Sequence, residues 1–547
     1  QRQGVQVVST SVMIVTRESG TTTPVGVILP ISAGAHTAGV LSADELSALT
    51  APVGSLTEQL AAVSGTDAVL AVDPAIAASI RVLGTAAPES AVAWLLSLDA
   101  LPNTRFALQY GDADVATQVA AGVDAPLQPL SLQSYLRATD SPEVTPSPEP
   151  SATEPPPDPT LPGLEALLDI GAARSDRYWP EGSFVDQSVV ESLGSPEGGP
   201  AGITIVPSSA VGAGTGARVA VGETGAAALA YDTAVSTALS AAAATDENVL
   251  RGHHLAAATA LLELVMRGAG DTPVLVALDR GADRSRIALS AAIRTATELP
   301  TTRPAALVEL VDAPPRTVTV GESAIDPARV AQASTLFDDE RRLTAFATIL
   351  TDPTVLTGRE RAELLQLLGV AWIADAAAWM QAAREHREAT TTTLGAVSIV
   401  PPSHINLFNA SAPLQFWVRN ELPYPVNVVL FTTPDDLRLD VQRATPVDDA
   451  MPNRNTRVAV PVEARIGNGE VTLDLELRSA NGVRIGPAEA AEVSVRADWE
   501  GIGVTIVLVL VGGFVALGLV RTILRRRGGR KTEEVDASGP PPDEESS

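Results

Sequence analysis

The chain has 547 residues, 45% of them hydrophobic and 19% charged, with no cysteine and a formal net charge of -27. The lack of thiols excludes disulfide scaffolds, thiol catalysis and cysteine-ligated metal sites, and the acidic balance excludes a broad nucleic-acid surface. A chain this long and this aliphatic is not disordered; at about 150 residues per domain it calls for two to four domains.

Residues 5–15 alternate loosely like a strand until Pro24 breaks the pattern, so 1–23 reads as the remnant strand of an N-terminal β domain. The chain starts at Gln1 and no signal peptide is visible, which suggests a processed or truncated product. From Val25 short apolar runs alternate with helical stretches: VGVILP (25–30), DAVLAVD (67–73), RFALQY (105–110), ITIVP (203–207), AALAYD (227–232) and VLVALD (274–279). Ser42 and Glu45 form a capping-box signature, and Pro74 stands at a helix start. Continuous apolar strands alternating with helices mean a parallel sheet covered on both faces, so 24–322 is expected to be a (β/α) barrel-like domain, possibly incomplete. Residues 140–163, dominated by proline and acid, read as a disordered insertion within it.

Residues 323–393 carry helical periodicity only. Over 394–499 the period becomes two, and seven short strands predict an immunoglobulin-like β-sandwich, with Asn481-Gly482 as a type I′ hairpin turn. Gly501 to Val520 carries no charge, long enough at about 1.5 Å per residue to cross a membrane. A transmembrane helix is therefore expected over 501–524, anchored by Trp499. Asp498 and Glu500 precede it, and Arg521, Arg525, Arg526, Arg527, Arg530 and Lys531 follow. The positive-inside rule makes 525–547 a cytoplasmic tail and the rest an extracytoplasmic ectodomain, a type I single-pass topology in the cell membrane.

In a barrel, chemistry belongs at the C-terminal ends of the strands. Asp73, Asp112, Asp114, Asp232 and Asp279 fall there and are the catalytic candidates, as carboxylates for acid, base or nucleophile roles on a glycan. Tyr110, Tyr178, Trp179 and Tyr231 lie nearby as candidate sugar-stacking ligand contacts. Asp73, Asp114 and Asp232 also stand where a helix N-cap is required, and capping is the stronger reading for each. Asp279 is less cap-like, with Arg280 or Arg284 as its natural partner. His253 and His254 point about 100° apart on a helix and read as core or cap residues. No metal site and no cofactor are expected, because the remaining three of five histidines are scattered and no phosphate-cradling loop or GxSxG element occurs.

The order VGVILPISAG, AVLAVDPAI, ALQYGDADVA, RYWPEGSFVDQSVVESL, a helical pair and VRNELPYPVNVVL, ending in VRADWEGIG before a membrane helix, resembles an actinobacterial family of single-pass envelope proteins of unknown function. Their genes typically lie beside the MviN-type lipid II flippase. The resemblance implies an envelope location and a link to peptidoglycan precursors, with the flippase or cell-wall synthesis proteins as partners; it carries over no catalytic residue. Longer members have a further β-rich domain ahead of the barrel. The barrel is similar to glycosidase and polysaccharide-deacetylase barrels by fold analogy. The leading expectation is a non-catalytic envelope protein that binds a glycan, a precursor or a membrane partner, and the alternative is an envelope glycan hydrolase using two rim carboxylates.

Overall fold

The computed structural model describes residues 22–136, 161–172, 176–195, 201–212, 214, 216–281, 284–322, 324–409, 411–465, 468–496 and 499–527. Nearly all of the expected N-terminal remnant, most of the proline-rich insertion and the tail beyond Arg527 lie outside the described residues. The chain divides into two compact units, Gln1–Gly395 and Ala396–Ser547.

In the first unit strands and helices alternate. β1 (Thr23–Ile31) leads to α1 (Ala43–Leu49) and α2 (Ser55–Val63), β2 (Val69–Val72) to α3 (Pro74–Leu83) and α4 (Glu89–Ala100), and β3 (Arg105–Ala107) to α5 (Val115–Ala120) and α6 (Leu164–Leu168). β4 (Arg177–Tyr178) is followed by α7 (Gln187–Gly194), β5 (Ile203–Pro207) by α8 (Ser208–Val211), and the pair β6 (Arg218–Val221) and β7 (Ala226–Tyr231) by α9 (Thr233–Ala243) and α10 (Asn248–Ala269). β8 (Val274–Ala277), α11 (Arg286–Thr297), β9 (Thr302–Pro304), α12 (Leu307–Asp312) and β10 (Arg316–Val318) complete the series. Local chemistry sets the helix starts. Ser42 and Glu45 make the reciprocal capping box on α1, and Pro74 opens α3 behind the Asp73 cap.

Seven parallel strands run in the order β4-β5-β7-β8-β1-β2-β3. Sequence order is kept around this series, as in a (β/α) barrel, yet β3 and β4 share no ladder among the described residues. The sheet is open there, a half-barrel rather than a closed one. β3 has three residues and β4 two, and among the described residues each pairs on one edge only, with β2 and β5. Instead the buried Arg105 guanidinium donates to the carbonyls of Leu98, Leu101 and Ile170, which ties the stretch after α6 to the β3 edge. β6 runs antiparallel to β7 and parallel to β10, and β9 pairs beside the start of β1.

β1 is buried along its whole length because both faces are covered. Val25, Val27, Leu29 and Ile31 pack outward under the helices, whereas Ile28 joins Val69, Phe106, Trp179, Ile205, Leu229 and Leu275 inside. A Cβ on Gly26 would stand 2.6 Å from Leu310 Cδ1, so the glycine lets α12 close the lower end of the interior. Three helices follow, α13 (Pro327–Ala347), α14 (Thr354–Leu367) and α15 (Ala376–Gly395). They cluster on α3 and the loop after β3 through Leu336, Phe337, Leu364, Leu365 and Leu368, which meet Tyr110 and Ala113.

The second unit holds two sheets, β11-β13-β17-β15 and β12-β19-β18-β14-β16. Their strands are β11 (Val397–Ile399), β12 (Ile405–Leu407), β13 (Ser411–Asn420), β14 (Val426–Pro434), β15 (Leu439–Val441), β16 (Ala444–Ala450), β17 (Arg454–Ala464), β18 (Asn468–Arg478) and β19 (Arg484–Arg496). Alternate residues are buried: Leu414, Phe416 and Val418 on β13, Val458, Val460 and Val462 on β17, and Leu473, Leu475 and Leu477 on β18. Two strands beyond the seven expected appear, β12 and β16; β12 is too short to show a period, and the polar outer face of β16 hid the second. The turn at Asn481-Gly482 is not type I′, because Gly482 alone has a positive φ, 82°. Gly482 N–H closes on the Ser479 carbonyl, a type I turn whose glycine supplies the left-handed residue. The last element is α16 (Trp499–Arg527), of which Val504–Arg525 is long and apolar enough to cross a membrane.

Candidate functional site

The C-terminal ends of β2, β3, β4 and β8 converge on one polar cluster. The loop after β3 makes this possible: Gly111 and Asp112 both adopt positive φ, 68° and 49°. A Cβ on Gly111 would meet the Gln366 Cα at 2.9 Å, so no other residue lets α14 approach this closely. The tight turn sends the Asp112 side chain inward, where its Oδ2 accepts a 2.6 Å hydrogen bond from Arg280 Nε. Arg280 Nη2 donates to the Trp179 carbonyl at 2.6 Å, and its guanidinium lies 4.7 Å from the centroid of the Trp179 ring. Arg280, arriving from the end of β8, thus bridges the loops after β3 and β4 over the mouth of the half-barrel.

Asp73, 3% exposed, accepts the amides of Ala75 and Gly111 on Oδ1, both at 2.9 Å. Burial, then the nearby Asp112 charge, pushes its carboxyl up to about 7 against the amide hydrogen bonds. Burial also raises Asp112, and Arg280 offsets this only in part. Asp114, fully buried, accepts Thr117 N–H and the Thr117 hydroxyl on Oδ2, while Oδ1 takes the Glu181 amide at 3.0 Å. It therefore caps α5 and ties the loop after β3 to the loop after β4. Thr117 in turn accepts from Arg329 Nε, and that guanidinium lies over Trp379 at 4.6 Å.

Of the sequence candidates, Asp73, Tyr110, Asp112, Asp114 and Trp179 come together in this cluster. The Tyr110 hydroxyl is spent on the Gly39 carbonyl at 2.6 Å, and burial raises its pKa well above the ordinary value. The other candidates fall outside this cluster, Tyr231 at its edge, packed on the interior core that holds Trp179. Tyr178 packs with Val115, Phe184 and Val189. Tyr231 is half-buried, its hydroxyl beside Gly182, and is pushed up to about 12 by burial first and the Glu181 charge second. Asp232 caps α9 through Val235 N–H at 2.9 Å. Asp279 is 66% exposed and pairs with Arg284, not with Arg280. His253 is exposed and His254 half-buried in the body of α10, so neither is a core or cap residue.

The sequence reading did not find Arg280 as the partner of Asp112, nor Arg329. It also missed a second cluster, where Glu360 and Glu363 of α14 meet His386 of α15. One ligating atom from each lies within 4.8 Å of the others, a set that could hold a metal ion. His386 Nε2 lies 3.0 Å from Glu360 Oε1 and Nδ1 lies 3.5 Å from Glu363 Oε2, so a protonated imidazole satisfies both carboxylates. The Glu360, Glu363 spacing of three residues was the readable signal, since it puts both on one helix face.

Fold and site define a mixed α/β protein whose half-barrel rim is closed by an arginine–aspartate bridge, with a β-sheet unit and one apolar C-terminal helix. The chain belongs to the family of unknown function DUF6049, whose pattern matches residues 3–544. No curated protein matches. Among solved structures, Escherichia coli alpha-2-macroglobulin from domain MG7 to the C-terminus is similar over 18% of this chain and 16% of its own, with 15% identity and a TM-score of 0.14. SSP-19, an MSP-domain protein like family member of Caenorhabditis elegans, shares 14% identity over 17% of this chain and 94% of its own, TM-score 0.14. The E. coli chaperone DraB shares 13% over 18% and 54%, TM-score 0.15. No functional reading is taken from likenesses this short.

Proposed function

We propose that this is a single-pass envelope protein whose extracytoplasmic part binds a glycan, a cell-wall precursor or a membrane partner in cell-wall biogenesis, without turning it over. One observation carries the non-catalytic reading: the rim carboxylates are already engaged, Asp73, Asp114 and Asp232 on helix amides and Asp112 on Arg280. A glycoside hydrolase needs two carboxyl groups open to a sugar about 5 to 9.5 Å apart; here Asp73, Asp112 and Asp114 are 3%, 6% and 0% exposed.

The topology in this reading follows from charge. Arg521 and Arg525 to Arg527 follow the apolar stretch, which favours a cytoplasmic tail. The half-barrel is then a distorted relative of glycosidase and deacetylase barrels, and the second unit an immunoglobulin-like spacer. By family resemblance the source is an actinobacterium, and the partners are the lipid II flippase or other cell-wall synthesis proteins.

A hydrolase is the second reading. It is favoured by Asp73, whose carboxyl near 7 suits a general acid beside Asp112, and it requires Arg280 to swing out of the mouth. The test uses the full chain in lipid nanodiscs with muropeptides, lipid II and envelope polysaccharides, products followed by mass spectrometry. No product, with retention of one of these molecules on the protein, is the expected result. Product that disappears in Asp73→Asn, Asp112→Asn would make the protein an enzyme.

A further inference from the structure

The open side of the half-barrel holds a cleft of about 830 Å³, between the end of β3, Pro74 at the start of α3, the 128–129 stretch and the segment 164–172. That volume falls within the range of about 300–1,000 Å³ usual for small-ligand sites. Its polar groups are unusual in kind. Gln128 Nε2 donates to Gln109 Oε1 at 3.1 Å. This single bond orients both side-chain amides and leaves the Gln109 N–H₂ and the Gln128 side-chain carbonyl without a partner among the described residues, while the Gln128 main-chain carbonyl accepts from Arg361 Nη1 at 3.1 Å. The Gln109 side chain is nine-tenths buried, with 7% exposure, so its amide nitrogen has the cleft to bond into. Glu165 and Asp169 add carboxylates; one Asp169 oxygen takes the Gly171 amide and the other is left over. Pro74, Leu164 and Leu168 supply flat apolar wall between these groups.

Among the described residues no lysine, arginine or histidine side chain lines the cleft. Acceptors outnumber donors, and two of them carry negative charge. The nearest guanidiniums, Arg81, Arg105 and Arg361, are held on main-chain carbonyls of Asp169, Ile170 and Gln128 behind the lining, so a phosphate or carboxylate ligand would meet the Glu165 and Asp169 carboxylates first. A ligand rich in hydroxyl donors, uncharged, with apolar C–H faces, meets every feature: hydroxyls to the Gln128 carbonyl and the carboxylates, a ring or hydroxyl oxygen to the Gln109 N–H₂, and C–H faces on the proline and leucines. We propose that this cleft binds a neutral oligosaccharide segment and rejects phosphate-bearing head groups. The inference rests on the binding reading above and narrows it: a lipid-linked precursor would be held by its sugars, with its pyrophosphate outside the cleft.

The test is saturation-transfer-difference NMR and titration calorimetry on the full chain in nanodiscs. The neutral probes are chitotetraose and maltotetraose, and the charged probe is N-acetylglucosamine 1-phosphate. At least one neutral tetramer binds, Gln109→Leu weakens it about ten-fold or more, and the phosphosugar does not compete. Glu165→Gln with Asp169→Asn, both exposed and structurally mild, lets the phosphosugar in. No binding of either tetramer, equal binding of the phosphosugar, or full affinity in a Gln109→Leu protein with unchanged circular dichroism overturns the cleft. Lipid II retained equally by the parent and Gln109→Leu would sink this inference and leave the binding reading standing. Turnover of a glycan would do the reverse.

Discussion

Two buried ionic clusters of the first unit, the rim and the Glu360–Glu363–His386 set, are built from the same kinds of side chain and behave in opposite ways. At the rim the single cation, Arg280, pairs with Asp112, Asp73 has only backbone amides, and burial wins: both carboxyls are raised. Between α14 and α15, Glu360 and Glu363 face two cations. His386 sits between them, and Arg359 Nε donates to Glu363 at 2.7 Å. There burial would push Glu363 up, but the bonds from His386 and Arg359 outweigh it and its carboxyl ends below the ordinary range. Burial would likewise lower His386, yet its two carboxylate partners raise it to about 9. The local count of cations against carboxylates, not depth, decides which way a buried acid titrates. The helix pair is a charge-balanced clasp, whereas the rim is short of positive charge and holds a proton in reserve.

The largest expected effect is on the clasp. His386→Ala leaves the buried Glu360 without a cation and Glu363 with Arg359 alone, and costs about 3–5 kcal/mol at pH 7, read as a lower urea midpoint in the helical circular dichroism. Adding Glu360→Gln and Glu363→Gln restores most of it. A loss under about 1 kcal/mol would mean that the clasp does not couple the helices. Arg280→Ala should cost less, about 2 kcal/mol at pH 8, because Asp112 can take up a proton instead. The same variant should lie close to the parent at pH 5, and an equal loss at both pH values would contradict the proton reserve.

Titration separates the clusters further. Asp73 is raised from 3.8 to about 7, so the native state holds the proton more tightly than the unfolded chain. Its contribution is complete below about 4 and is lost as pH climbs to 7. His386 is raised from 6.5 to about 9, so its contribution is complete below about 6.5 and is lost as pH rises through 9. Asp73→Asn should flatten the lower window alone and His386→Gln the upper alone, in urea midpoints measured from pH 4 to 10. Crossed effects would show that the two clusters are one network. The smallest effect is expected where a carboxylate only caps: Asp232→Ala should cost about 1 kcal/mol, read as a lower urea midpoint.

What was legible in the sequence was what a few neighbouring residues decide. Asp73, Asp114 and Asp232 read as caps because an N-cap needs only its own side chain and the next two or three amides. Arg280 did not read as the partner of Asp112 because 168 residues separate them, and Asp279 and Arg284 offered a nearer pairing. Tyr178 and Trp179 are adjacent, yet strand alternation sends one to the α7 side and the other inside, which the short β4 gave no pattern to reveal.

By itself, then, the sequence determined the alternation of apolar strands with helices, the change to period two after residue 394, the helix starts and the one stretch able to cross a membrane. Each is a local matter of hydrophobic period, cap chemistry or segment length. Tertiary structure alone decided that the half-barrel stays open between β3 and β4, that Arg280 closes its mouth over Asp112, that His386 falls between two glutamates, and that Gln109 and Gln128 face one cleft. These depend on which distant segments meet and on how many charges each meeting leaves unbalanced, and neither quantity is written in any short window of the chain.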